Sequence, residues 1–427
     1  MRVLFVTNPF KAHLYAQVPL AWAFRAAGHE VCVAGPPEVA EAIAHCGLPG
    51  VSIGAEMPPL QERVAGFEAP EGPCDPRGDR TGKSVQSDYG WGDPHIELRD
   101  FTLGVHQVFF PDAMTDDLVG FARSWLPDLV IWDSSAFPGA VAAQVVGAAH
   151  ARFILSVDRV AQVRSACRAA GFDSVGDPLR DWLQPILQRY GRDFDETTVL
   201  GQWTIAPTPR WIWQPDGVHY LPMRSVPFNG PATTPRWVYE PPARKRVCIT
   251  QGISHRDAGI GGVASVGDLF KAVADLDIEV IATFNAQQLG STSAIPDNVR
   301  VVDFVPFTSL LPTCSAIVHD GGVGSFATAL ENAVPQIIVP HDSKVEKWWG
   351  PVAMGDGLES RGAGVYAANG HSLTPDILRD SLKLVLEDPS FAANAARLRT
   401  EMRGMPTPSD VVPALEKLTA DHRGSRP

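Results

Sequence analysis

The chain has 427 residues, a length that at roughly 150 residues per domain predicts two or three domains and excludes a single small module. Apolar residues make up 45% of it and charged residues 20%, so it can bury a large interior and is not a disordered polymer. The net charge of −12 argues against a broad electrostatic grip on DNA or RNA and leaves room only for a local anion site.

The first ten residues are too short in apolar content for a secretory core, and no run approaches the ~18 apolar residues of a membrane span. The six cysteines form no CxxC pair and read as core thiols of a reducing cytoplasm. In chain order, Val3 to Thr7 predicts a strand, Asn8 to His13 a polar loop, Pro19 to Ala27 a helix stopped by Gly28, and Glu30 to Ala34 a second strand. Such a unit is a right-handed parallel crossover. Leu129 to Trp132, the helix Ala140 to Val146 and Phe153 to Leu155 repeat it. Residues 67–104, rich in Gly, Pro and charge, read as a mobile excursion.

Residues 206–242 carry nine prolines in 37 positions, a density that sustains neither helix nor central strand, and are assigned as an interdomain segment. Alternation then restarts at Val247 to Thr250, a helix at Asp268 to Asp275, and strands at Glu279 to Thr283, Val299 to Val302 and Ala316 to His319. A helix from Ser325 and a strand Gln336 to Val339 complete it, and Val411, Val412, Leu415 and Leu418 pattern a last helix. The expectation is an α/β chain of two Rossmann-like, doubly wound domains facing across a cleft: 1–205, 243–400 and a tail 401–427 that packs back on the first. The ligand site belongs at the carboxyl ends of the strands.

The sharpest local signal is Ile317 to Ser325, where a strand feeds His319-Asp320-Gly321-Gly322-Val323-Gly324-Ser325 and a helix. Glycines admit an anion to the backbone, and a helix N-terminus favours phosphate. Gly322-x-Gly324-x-x-Ala327, with Asp342 twenty residues on, also fits a dinucleotide fingerprint. That fingerprint belongs in the first crossover of its domain, whereas several strands precede it here. A turn with no ligand is the third reading.

The strings His13 to Val31, Gly201 to Ile205, Arg246 to Ser254, Ile295 to Arg300, Leu310 to Cys314 and the His319 turn resemble the actinobacterial antibiotic glycosyltransferases, in particular their activator-dependent desosaminyl or deoxysugar transferases. The resemblance covers nearly the whole chain. It implies a GT-B arrangement, with the acceptor in the first half and the nucleotide sugar in the second. It further implies metal-free inversion by direct displacement and no cofactor beyond a TDP-sugar co-substrate. The partners it implies are a hydrophobic aglycone or macrolide, a haem-less cytochrome-like auxiliary protein and a second copy of the chain.

On that resemblance His13 stands at the general base position and Asp133 at its supporting carboxylate. A neutral imidazole suits proton removal from an attacking hydroxyl, and a carboxylate holds its tautomer. Taken alone, His13 reads as a surface or capping residue and Asp133 as a cap of the next turn. The donor side comprises Gly252, Ser254, Val305, Phe307, His319, Asp320, Gly321, Gly322, Gly324, Ser325, Asp342 and Ser343.

Two departures stand out. Relatives commonly have His-His-Gly-Gly, and the second histidine, which meets the diphosphate, is Asp320 here. The segment from His341 to Arg361 is also longer than in relatives and carries Trp348 and Trp349. Asp320 can pair with Lys344 or Lys347, hold a cation with His341 and Asp342, or mark a chain that takes no ordinary diphosphate donor. The last case admits a catalytically silent homologue acting as a scaffold.

Overall fold

The computed structural model describes residues 1–67, 93–171, 176–209, 211–212, 214–257, 264–290, 295–341 and 350–424. Two all-parallel sheets organise it. The first holds β1 (Arg2–Val6), β2 (Glu30–Gly35), β3 (Gly50–Ser52), β4 (Leu129–Asp133), β5 (Ala149–Phe153), β6 (Trp203–Ala206) and β7 (Tyr220–Pro222) in the order β3-β2-β1-β4-β5-β6-β7. The second holds β8 (Lys245–Thr250), β9 (Ile278–Thr283), β10 (Val299–Val302), β11 (Ala316–His319), β12 (Gln336–Ile338) and β13 (Gly364–Tyr366) in the order β10-β9-β8-β11-β12-β13. Both are doubly wound, as the alternation predicts.

Parallel strands between helix layers bury both faces, so their sequences run apolar and their residues divide by parity. Leu4, Val6, Val130 and Trp132 pack into one core, while Val3, Phe5, Leu129 and Ile131 pack into another. In the second sheet Val247 and Ile249 face one core and Cys248 the other. Cys32, Cys46, Cys167 and Cys248 are buried and free, as core thiols should be, and burial pushes Cys32 up to about 11. Cys74 lies outside the described residues. Among those residues no helix is long and apolar enough to cross a membrane.

Several elements depart from their predicted bounds. The first helix is Lys11–Ala26, so Pro19 sits inside it rather than opening it, and Lys11 to His13, expected in the loop, are already helical. The fifth strand is Ala149–Phe153, not 153–155, because His150 and Arg152 disguise it. Arg152 is fully buried; its guanidinium pairs with Asp158 and donates to Thr204 Oγ1 at 3.1 Å. The proline-rich segment contains β7, an edge strand ending in Pro222. Of the predicted excursion, residues 68–92 lie outside the described set, and Pro94–Gly104 is a helix with Leu98 and Thr102 buried.

Near the end of the chain a helix Pro389–Arg403 places Ala395, Leu398 and Met402 against Phe326 of the second half. The chain then turns, and the helix Pro408–Gly424 buries Val411, Val412 and Leu415 in the core of the first sheet.

His150 is expected to make the stability of that first sheet depend on pH. It is buried and accepts from Trp132 Nε1–H at 3.3 Å, and burial pushes its pKa from 6.5 down to about 4. The unfolded chain therefore takes up a proton near pH 6.5 that the folded chain refuses until about pH 4. Stability is full above pH 6.5 and is lost as pH falls toward 4. The melting temperature is expected to drop across that window, and to drop less in His150→Gln. An identical pH profile in the variant would show that His150 does not carry the effect.

Candidate active site

In a doubly wound sheet the crevice opens where strand order reverses, because the crossovers on either side leave to opposite faces. In the first sheet that point lies between β1 and β4, and in the second between β8 and β11. The segments leaving those four strands carry Asn8 and His13, Asp133 and Ser135, Gly252 and Ser254, and Asp320 to Ser325. Topology alone gathers them.

On the first wall, Asp133 Oδ2 lies 2.7 Å from His13 Nδ1. The carboxylate can only accept, so Nδ1 carries the proton and Nε2 is the basic nitrogen. Asp133 is fully buried, and a buried carboxylate must be hydrogen-bonded. Its Oδ1 accepts from Ser135 N–H at 3.0 Å and from Ser135 Oγ–H at 2.7 Å. Asp133 thus both caps the following turn and accepts from the imidazole.

Asn8 Oδ1 accepts from Phe10 N–H at 2.9 Å, which points Asn8 Nδ2 toward Ser135 Oγ, to which it donates at 3.0 Å; it also lies 2.9 Å from His13 Nδ1, which bears its proton toward Asp133 and accepts no bond from it. Phe10 covers the imidazole at 5.9 Å between ring centres, and Phe109 packs edge-on against Phe10 at 5.5 Å. His13 itself is 6% exposed, and its exposed part lines the cleft.

On the second wall, Gly322 caps the helix Val323–Glu331. The N–H groups of Val323, Gly324 and Ser325 stand outside the helical ladder at its positive end, an arrangement suited to phosphate. Gly321 has φ +89°, and a Cβ there would lie 2.5 Å from Pro351 Cβ. Gly252, at φ +73°, would place a Cβ 2.4 Å from Asp320 Oδ2. Both positions require glycine.

Asp320 is 4% exposed and accepts from Gly322 N–H at 2.8 Å, so a carboxylate lies between the β8 turn and the glycine turn. Lys344 and Lys347, the cations expected to pair with it, lie outside the described residues. So do Asp342, Ser343, Trp348 and Trp349. Among the described residues no group of three or more His, Cys, Asp or Glu is placed to hold a metal ion.

A cleft of about 1660 Å³, counted out to its open mouth, lies between the walls. His13, Gly252, Ser254, Val305, Phe307, Asp320, Gly321, Gly322, Gly324 and Ser325 all line it. His319 does not. Its Nε2–H donates to Gln336 Oε1 at 2.9 Å, its Nδ1 accepts from Gly321 N–H at 3.1 Å, and burial lowers its pKa. It is a neutral brace behind the turn. Val305 is 2% exposed and belongs largely to the core.

Sequence reasoning passed over Asn8, Ser135, Arg256, and the apolar lining of Phe10, Tyr15, Val226 and Phe228. A polar side chain just after a strand, as at Asn8 and Ser135, was the available signal. Arg256 and Phe228 carried none.

Two facing Rossmann crevices, one with a His–carboxylate pair and one with a glycine turn at a helix N-terminus, define a glycosyltransferase of the GT-B class. The chain belongs to the erythromycin biosynthesis protein CIII-like family, whose N-terminal domain matches residues 22–252 and whose C-terminal domain matches residues 267–418. It is 44% identical over 442 residues to the aclacinomycin-T 2-deoxy-L-fucose transferase of Streptomyces galilaeus, covering 100% of this chain and 98% of that protein. It is 41% identical over 441 residues to the 3-alpha-mycarosylerythronolide B desosaminyl transferase of Saccharopolyspora erythraea, covering 100% of both. The solved glycosyltransferase VinC in complex with dTDP matches with a TM-score of 0.83 at 36% identity, over 99% of this chain and 100% of that one. Membership of that glycosyltransferase family sets aside the dinucleotide-enzyme reading of the Gly322 fingerprint.

Proposed function

We propose that the chain moves a deoxysugar or aminosugar from a TDP-sugar to a hydroxyl of a hydrophobic polyketide-type aglycone, with inversion at the anomeric carbon. In this reading residues 1–205 with the tail 401–427 receive the acceptor, residues 243–400 hold the nucleotide sugar, and 206–242 join them. The observation that carries it is the His13–Asp133 pair, 2.7 Å apart, whose imidazole lines the same cleft as the glycine turn. A base on one wall and an anion cradle on the other are what a displacement at a sugar phosphate needs.

The aglycone lies against Phe10, Tyr15, Val226 and Phe228. Its hydroxyl donates to His13 Nε2, which takes the proton as the oxygen attacks the anomeric carbon, and Asp133 stabilises the imidazolium. The bond to the diphosphate breaks as the new one forms, so charge grows on the leaving oxygen. Preorganised N–H groups of Val323, Gly324 and Ser325, with the Ser254 hydroxyl, meet that charge. Phe307 and the Val305 backbone flank the nucleotide base. The step is written without a metal. A haem-less cytochrome-like auxiliary protein and a second copy of the chain belong to the same reading as partners.

The VinC complex with dTDP supports the donor, and the sugars and aglycones in the relatives' names support the acceptor class. Asp320 favours the silent-homologue reading, while the intact, braced His13–Asp133 pair favours an enzyme. Thermal melting with TDP, with NAD and with neither separates them. TDP is expected to raise the melting temperature and NAD to leave it unchanged. Stabilisation by NAD, or by neither, would overturn the donor assignment.

A further inference from the structure

Two polar turns meet beside the imidazole. Strands β1 and β4 are neighbours, with Val6 opposite Trp132, so the segments leaving them run side by side. Asn8 follows β1 and Asp133 ends β4, and both residues are fully buried. Each is tied to its own backbone two residues on: Asn8 Oδ1 accepts from Phe10 N–H at 2.9 Å, and Asp133 Oδ1 from Ser135 N–H at 3.0 Å. The Ser135 hydroxyl joins the two turns, accepting from Asn8 Nδ2 at 3.0 Å and donating to Asp133 Oδ1 at 2.7 Å.

This chain of hydrogen bonds has one direction. A backbone N–H cannot accept, so Phe10 holds the oxygen end of the Asn8 amide and leaves the nitrogen end for Ser135. That nitrogen can only donate, so Ser135 Oγ receives it and spends its own hydrogen on Asp133. Donors gathered on Oδ1 fix the plane of the carboxylate and present Oδ2 to His13 Nδ1 at 2.7 Å. Asn8 Nδ2 also stands 2.9 Å from that ring nitrogen. An amide nitrogen has no lone pair to offer and does not compete with Asp133 for the Nδ1 proton, whereas an oxygen in its place would.

We propose that Asn8 is a positioning residue of the reaction. Through Ser135 it commits Asp133 to accept from His13 Nδ1, and so leaves Nε2 as the nitrogen that takes the proton of the attacking hydroxyl. Phe10, whose side chain lines the cleft and covers the imidazole, starts the chain with its backbone N–H, so the cleft wall and the base are set by one network. The assignment rests on the general-base reading above.

The test is long-range proton–nitrogen NMR of the full chain carrying nitrogen-labelled histidine, in mildly alkaline buffer, with the His13 signals assigned from His13→Ala. It reads which ring nitrogen bears the proton. The wild type is expected to show the proton on Nδ1. Asn8→Asp keeps the shape but puts an oxygen where the amide nitrogen stands, and Ser135→Ala removes the middle link; both are expected to move His13 toward the Nε2–H form. Turnover in each variant is expected to fall about 10- to 100-fold, the worth of one hydrogen bond to a buried charge, with TDP affinity unchanged. The double variant should lose no more than the worse single one, because both break the same chain. A His13 tautomer unchanged in both variants overturns the assignment, as does a double variant whose loss is the product of the two. Should Asn8→Asp fail to fold, Ser135→Ala carries the same reading. A wild type with its proton on Nε2 overturns the general-base reading itself, a different result from a wild type with Nδ1–H and variants that match it.

Discussion

His13→Ala is expected to lower the turnover number by about 10²- to 10⁴-fold, the range for a lost general base. The acceptor hydroxyl is a poor nucleophile until its proton leaves, and the imidazole is the group placed to take it. Asp133 at 2.7 Å fixes the proton on Nδ1, Ser135 and Asn8 brace the carboxylate and its surroundings, and Phe10 covers the ring. The basic nitrogen is thus set before any substrate arrives. TDP affinity should stay nearly unchanged, because the glycine turn lies on the opposite wall. The measurement is single-turnover kinetics with a TDP-sugar and acceptor pair, beside TDP titration of the same variant. Wild-type turnover where chemistry limits the rate would remove His13 from the mechanism, and equal loss of turnover and TDP binding would point to a structural role.

Asp320→Asn is expected to tighten TDP by about 100-fold or more. Two unit charges about 4 Å apart interact by about 4 kcal/mol at an effective dielectric near 20, and every 1.4 kcal/mol is tenfold in affinity. Asp320 is buried, so little of that opposition is screened by solvent. Asparagine keeps the shape beside Gly252, and its Oδ1 can still accept the Gly322 N–H, so the substitution removes the negative charge and keeps that contact. TDP titration of the two proteins, repeated with EDTA, reads the effect. A loss of affinity on substitution, or an EDTA-sensitive wild type, would mean that Asp320 holds a cation rather than opposing the diphosphate.

Much of this molecule is legible in its strands. Short apolar segments alternating with helical spacing forecast both sheets, and Val299–Val302 and Ala316–His319 match their predicted bounds. Strands buried on both faces leave a continuous apolar record, and glycines needed for left-handed or crowded turns mark themselves, as at Gly252 and Gly321. The first helix was misplaced because Pro19 imitates a helix start, while the true start at Lys11 has no capping side chain to announce it. The fifth strand was shifted because a buried arginine looks like a surface residue until its counter-charge, Asp158, is folded against it.

His13 and Asp133 were pointed to by resemblance to a family, while by itself the sequence determined the two-domain alternation and the glycine turn. Those are local facts, written in periodicity and in backbone positions that only glycine can fill. Tertiary structure decided which of those residues meet. The reversal of strand order brings His13 to Asp133 across 120 positions and sets His13 in one cleft with Asp320. It also turns His319 away into the protein, where burial keeps it neutral. The docking of the Pro408–Gly424 helix on the first core and the approach of Arg256 to the cleft were decided the same way. Contacts between distant segments depend on how whole layers pack, and no window of neighbouring residues records that.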